Sequence, residues 1–184
     1  MRAVVIGGSG HVGTYLVPRL VEAGYEVINV SRGKRGPYRQ HAAWKQVRQA
    51  VIDRAAAESD GNFGSQIAAL EPDVVIDMIC FTPTSAQQLV EALRGRVQHY
   101  LLTGTIWVHG PTTVAPTTEE QPRAPFGPYG INKAAIERYL WDQSRRLGFP
   151  ATIVHPGHIV GPGWEPINPA GHKNPVVFEK LAAD

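Results

Sequence analysis

The sequence predicts a doubly wound α/β domain built on a parallel sheet, and three observations carry that expectation. An apolar run at residues 3–6 breaks into a loop carrying Gly7, Gly8, Gly10 and Gly13, and a helix-like stretch follows. Apolar runs of strand length then alternate with segments of helical period along the chain. One of these runs, residues 73–79, is nearly continuous in apolar side chains, as a parallel strand buried on both faces requires.

The first strand and its loop set the ligand class. The glycines follow a Gly-x-x-Gly-x-x-Gly spacing across residues 7–13. Gly7 lets the chain turn sharply out of the strand, Gly10 lets backbone approach a pyrophosphate, and Gly13 lets the new helix pack tightly. A helix starting near His11 aims its unpaired N–H groups and positive dipole end at the phosphates. Gly7, Ser9, Gly10, His11, Val12 and Gly13 are therefore the expected cradle. The loop has neither the Gly-x-Gly-x-x-Gly spacing of many dehydrogenases nor the Gly-Lys-Ser/Thr ending of a mononucleotide-binding loop, and its place between a strand and a helix favours a dinucleotide site over a merely structural turn.

The remaining elements follow in order. A helix over residues 11–23 is expected to bury Val12, Leu16, Leu20 and Ala23, with Gly24 ending it. The second strand, 26–30, runs into Ser31-Arg32-Gly33-Lys34-Arg35. An acidic residue there would bond a ribose 2′-hydroxyl, whereas cations suit a 2′-phosphate, so Ser31 and Arg32 favour NADP, with NAD as the alternative. The third strand, 47–52, ends at Asp53, which either contacts adenine or caps the next turn. An amphipathic helix is expected at 65–70. In the strand at 73–79, Asp77 is an anomaly for a core and needs a backbone or loop partner. Cys80 reads as a buried strand residue. Thr82-Pro83 opens a helix with Ala86, Leu89, Val90 and Leu93 on its apolar face. A strand at 100–102 leads into Thr103-Gly104-Thr105. The segment 110–128, rich in Pro and Thr, is too irregular for helix or central strand and reads as a lid or substrate wall. A helix at 129–147 ended by Gly148, a strand at 151–155 and a short helix at 176–183 complete the chain.

Composition narrows the function. The 184 residues suit one domain with a sizeable core, and a net charge of +2 is too small to argue for nucleic acid. The single cysteine cannot form an internal disulfide. Without a signal-peptide pattern or a membrane-length apolar run, the cytoplasm is the expected compartment. His155 and His158 are close together but lack a third ligand of suitable type, so no metal is expected.

The chemistry gathers near the end of the fifth strand. Tyr129 and Lys133 stand one helical turn apart on one face. A free phenol has a pKa of about 10, and a neighbouring ammonium favours its charged form. Thr105, at the carboxyl end of the preceding strand, is placed to donate its hydroxyl to a carbonyl oxygen.

These residues resemble the short-chain dehydrogenases/reductases, in the extended or atypical NAD-dependent epimerase/dehydratase group. The resemblance rests on GGSGHVG at 7–13, TGTIWVHG at 103–110, YGINK at 129–133 and HPGHIVGPG at 155–163. It implies a Rossmann fold with Tyr129 as general acid/base, Lys133 on the nicotinamide ribose and Thr105 polarising the substrate oxygen. Thr103, Pro156 and His158 would lie on the nicotinamide side. It also implies a homodimer paired through the helices at 83–93 and 129–147, and a small-molecule substrate.

The departures from the family narrow the chemistry. Dehydrating members resemble Thr-Asp-Glu-Val-Tyr-Gly where this chain has Thr105-Ile106-Trp107-Val108-His109-Gly110, which removes the carboxylates that water elimination needs. Trp107 suggests an apolar pocket wall, and His155-Pro156 stands where Arg-Pro is frequent. Extended members carry a C-terminal substrate region that is largely lacking here, so residues 1–163 are expected to form the NAD(P)-binding domain and 164–184 the start of that region. The leading expectation is an NADP(H)-dependent oxidoreductase acting on a carbonyl or secondary alcohol of a sugar or sugar nucleotide. An NAD-dependent epimerase and a non-catalytic NAD(P)-sensing regulator are the alternatives.

Overall fold

The structure is a computed structural model that describes residues 1–111, 115–164, 167 and 174–183. Six parallel strands, β1 (Arg2–Ile6), β2 (Glu26–Ser31), β3 (Arg48–Val51), β4 (Val74–Asp77), β5 (His99–Thr103) and β6 (Ala151–Val154), form one sheet in the order β3-β2-β1-β4-β5-β6. The strand order reverses between β1 and β4, and the crevice above that point is where such sheets take ligands.

Alternation along the strands sorts the core into two layers. Val4, Ile6, Ile28, Val75 and Tyr100 face one side. They pack under α2 (Arg54–Ser59), α3 (Phe63–Ala68), α4 (Pro83–Leu93) and α5 (Gly127–Leu147). Val5, Val17, Val27 and Ile76 form the other layer, under α1 (His11–Glu22) and a short turn of helix at Ala42–Gln46. That second face is open at its far edge, where Val154 of β6 is 46% exposed. The short α6 (Val176–Ala183) buries none of its residues.

Several elements differ from expectation, each for a local reason. Helix α1 buries Gly13, Thr14, Val17 and Pro18, while Val12 is exposed and Ala23 caps the end. Its orientation is set by Gly13 pressing on the loop: a Cβ there would lie 2.1 Å from the Gly8 carbonyl oxygen. Helix α2, absent from the expectation, is started by Asp53, whose carboxylate accepts from the amides of Ala55 and Ala56 at 3.1 and 3.4 Å. The helix expected at 65–70 begins earlier, at Phe63, which fills the core. Strand β4 ends at Asp77 because its carboxylate turns to the amide of Ile79 and to side chains of neighbouring elements. Cys80 is buried, but in the turn beyond that strand.

Candidate functional site

A cleft of about 830 Å³ opens over the carboxyl ends of β1, β2 and β4. Gly7, Ser9, Gly10 and His11 form its floor. Gly7 adopts φ +86°, a conformation that favours glycine, and its amide donates to the Val30 carbonyl at 2.9 Å. A Cβ on Gly10 would meet only the Gly7 carbonyl oxygen, at 3.2 Å, so the approach from the cleft is open backbone. The amide of Thr14 donates to the Gly10 carbonyl at 2.9 Å, which leaves the N–H groups of the first turn without helical partners. Val12 takes no part in the cleft wall; only its backbone belongs to that turn.

The wall by β2 is basic. Ser31, Arg32, Lys34 and Arg35 line it, and among the described residues no carboxylate pairs with the three cations. Asp53 lines the opposite wall, but its carboxylate is occupied in capping α2. An aromatic group closes the near end. The His11 ring stacks on Trp164 at a centroid distance of 4.3 Å and lies near-parallel to Tyr38 at 5.5 Å, the three rings forming a triangle, and the Tyr38 hydroxyl hydrogen-bonds His11 Nδ1. The Tyr15 hydroxyl donates to the Pro162 carbonyl at 3.1 Å, so the chain beyond β6 returns across the start of α1.

Beneath the cleft lies a buried charge network. Arg54 donates to both oxygens of Asp77 at 2.8 and 3.0 Å and to Glu58 at 2.6 Å. Tyr100 donates its hydroxyl to Asp77 at 3.2 Å, and Ser85 donates to Glu58 at 2.8 Å. Burial, with help from Asp77, pushes the Cys80 thiol up to about 12 and the Tyr100 phenol well above its ordinary range.

Beyond Phe81, and outside the residues that line the cleft, lie Thr105, after β5, and Tyr129 and Lys133, on α5. Thr105 follows β5 and caps a short helical turn, Ile106–His109, by accepting from the Trp107 amide at 3.3 Å. Tyr129 sits in the first turn of α5 and is 43% exposed. Lys133, one turn on, is 1% exposed; its ammonium donates to the Thr103 carbonyl at 2.7 Å and lies 5.8 Å from the Tyr129 ring centre. Burial pulls that ammonium below the ordinary lysine range, against the attraction of Asp77 and Glu137. Pro156 accepts from the Ile106 amide at 3.3 Å and so borders the same turn, whereas the His158 side chain is exposed outside the cleft wall. Trp107 stacks on Phe126 at 5.1 Å and meets Tyr129 edge-on at 6.1 Å, and Phe81 lies 6.4 Å from Tyr129.

A second charge cluster, which the sequence reading missed, lies one further turn along α5. Glu137, 1% exposed, accepts from His155 Nε2 at 2.5 Å and forms an ion pair with Arg123 at 3.5 Å. Arg123 also donates to the carbonyls of Glu119 and Gln121, at 2.9 and 3.2 Å, and to the ring of the buried His109, at 3.2 Å. The available signal was spacing: Tyr129, Lys133 and Glu137 follow at intervals of four on one helix face. Among the described residues no three His, Cys, Asp or Glu side chains converge as metal ligands, and no helix is long and apolar enough to cross a membrane.

The model of the NAD dependent epimerase/dehydratase family matches residues 3–183. The chain belongs to that family. A 2′-dehydrokanamycin reductase of Streptomyces kanamyceticus is 32% identical over 137 residues, 74% of this chain and 37% of that protein. A UDP-glucose 4-epimerase of Streptomyces lividans is 26% identical over 174 residues, 86% of this chain and 52% of that one. Against the UDP-glucose 4-epimerase of Thermus thermophilus in complex with NAD, the TM-score is 0.75 at 24% identity, with 93% of this chain and 60% of that chain covered. The chain thus spans from about a third to half the length of these curated relatives.

Proposed function

We propose that this chain is the cofactor-binding and proton-transferring part of an NADP(H)-dependent oxidoreductase that interconverts a carbonyl and a secondary alcohol. Residues 1–163 form the dinucleotide domain on this reading, and 164–184 lead toward the region that completes the substrate pocket. The observation that carries it is the pairing of Tyr129 with the buried Lys133 against Phe81, a residue that lines the glycine-floored, basic cleft.

The bound dinucleotide supplies or accepts the hydride. Gly7, Ser9, Gly10 and the first-turn amides of His11, Val12 and Gly13 hold its pyrophosphate, and Ser31 and Arg32 meet a 2′-phosphate. In the reductive direction Tyr129 gives its hydroxyl proton to the carbonyl oxygen. Thr105 accepts the Trp107 amide, so its own O–H remains free to donate to the same oxygen. Lys133 stands behind the phenol and turns its remaining N–H groups to the nicotinamide ribose. Thr103 and Pro156 line the nicotinamide side on this reading, and the exposed His158 stands outside it. The exposed rings of Trp107 and Phe126 beside Tyr129 suit the apolar face of a sugar-like ring.

Titration with NADPH and NADH, followed by nucleotide fluorescence, tests the cofactor. Tighter NADPH binding that collapses to the NADH value in Arg32→Ala is expected, and tighter NADH binding would overturn the role given to Arg32. Tyr129→Phe should lower turnover by about 10²–10⁴-fold while cofactor affinity is kept, and full activity in that variant would remove Tyr129 from the mechanism.

A further inference from the structure

Among the buried titratable groups that the proposed chemistry leaves unused, Glu137 differs from Asp77 in that its partners lie on connecting segments and not on regular elements. It sits on the same face of α5 as Tyr129 and Lys133, and each of its two oxygens reaches a different connecting segment. Oε1 takes the Nε2 proton of His155, the residue that begins the turn carrying Pro156 and His158. Oε2 faces Arg123, whose guanidinium in turn gathers the carbonyls of Glu119 and Gln121. The amide of Ala124 then donates to the Val108 carbonyl at 3.1 Å, seating the segment against the turn that holds Trp107.

We infer that Glu137 is a positioning residue: one buried carboxylate latches the substrate-side segment 119–126, through Arg123, and the cofactor-side turn at 155–158, through His155, onto the helix that carries the acid. The inference rests on the reading of Tyr129 and Thr105 as the reacting site. Phe126, at the start of α5, and Trp107 face each other across the latched segment's end, so its seating determines the wall beside Tyr129. Arg123 Nη1 lies 3.2 and 3.3 Å from the two ring nitrogens of His109 and can only donate, so the ring offers it an unprotonated acceptor as a neutral imidazole. His109 is therefore a reporter of the latch. Facing it are Arg123 from the segment, His155 from the cofactor-side turn and Glu137 from α5, while the Gln121 backbone hydrogen-bonds it.

The test is an NMR titration of His109 in the full chain, identified by its loss in His109→Gln, for wild type, Glu137→Gln, Arg123→Gln and the double variant. In wild type the ring titrates below the ordinary histidine range, because burial and then Arg123 disfavour its charged form. If the cluster stayed seated, removing the carboxylate in Glu137→Gln would lower the midpoint further. Release of Arg123 instead raises it, and that rise is expected. Arg123→Gln should raise it as well, with no further rise in the double variant, and amide exchange over 119–126 should quicken at least tenfold in either single variant while β1 and α1 are unchanged. A lower midpoint in Glu137→Gln, additive shifts in the double variant, or unaltered exchange would overturn the latch. None of these readouts needs turnover, so an active Tyr129→Phe variant would count against the proposed chemistry and leave the latch standing.

Discussion

Two buried charge clusters among the described residues are built from similar groups and to different standards. The cluster under the cofactor cleft draws Arg54 and Glu58 from α2, Asp77 from β4, Tyr100 from β5 and Ser85 from α4, all on regular elements, with charged contacts of 2.6–3.0 Å. The cluster under the reacting site takes only Glu137 from regular structure. Its other members, His109, Arg123 and His155, come from a short turn and two connecting segments, and its Arg–Glu contact is 3.5 Å. The difference separates a scaffold from an adjustable joint. The first cluster locks α2 and α4 to the sheet beneath the cleft, whereas the second ties connecting segments to the helix that carries Tyr129 and Lys133.

The largest expected effect comes from breaking the scaffold cluster. Asp77 is fully buried and Arg54 nearly so, so Asp77→Ala leaves the guanidinium with Glu58 alone, strands the buried Tyr100 hydroxyl and should cost about 3–5 kcal/mol. For a chain of this size each kcal/mol lowers Tm by about 2–4 °C, so a thermal melt should fall by roughly 10 °C. Next comes Gly13→Ala, whose new methyl would lie 2.1 Å from the Gly8 carbonyl oxygen, a clash with backbone that can be relieved only by moving the loop. It should destabilise the fold by about 1–3 kcal/mol and weaken NADPH binding in the same titration. Arg123→Gln should cost only about 1 kcal/mol, because the guanidinium is partly exposed and its ion pair long. Urea midpoints rank the three. If Arg123→Gln proved as costly as Asp77→Ala, the distinction between scaffold and joint would be lost.

What the sequence made legible follows the same division. The glycine loop, the strand-and-helix alternation and the Tyr129–Lys133 face are local patterns, and each lies where expected. Helix α2 escaped because it is one short run, Arg54–Ser59, whose only start signal, Asp53, had an equally good reading as an adenine contact. Of the expected apolar face of α1, Leu16 and Leu20 pack on the core while Val12 and Ala23 are exposed, because side-chain periodicity was weighed and the glycine contact at Gly13 was not. Asp77 stood out as an anomaly, but its main partners are Arg54, 23 residues earlier, and Tyr100, 23 residues later, and no local pattern encodes such pairs. Arg123 and His109 were hidden for the same reason: their meeting depends on how an irregular segment folds back, which has no period to read.

The smallest effect tests whether the joint, and not the scaffold, responds to pH. In the scaffold cluster Cys80 and Tyr100 are both pushed upward, to about 12 and well above the phenol range, so neither changes charge near neutrality. His109 is different, since burial, Arg123 and His155 hold its folded-state pKa below the ordinary value of about 6.5. As pH falls through about 6.5, the unfolded chain takes up this proton before the folded one does, so folding loses stability on the acid side. The contribution is fully present above that value and erodes down to the folded pKa. Urea unfolding of wild type and His109→Gln at pH 7.5 and 5.5 isolates this residue from the other histidines. The drop in midpoint between the two pH values should be smaller in the variant, and an equal drop would show that His109 is not held neutral by its neighbours.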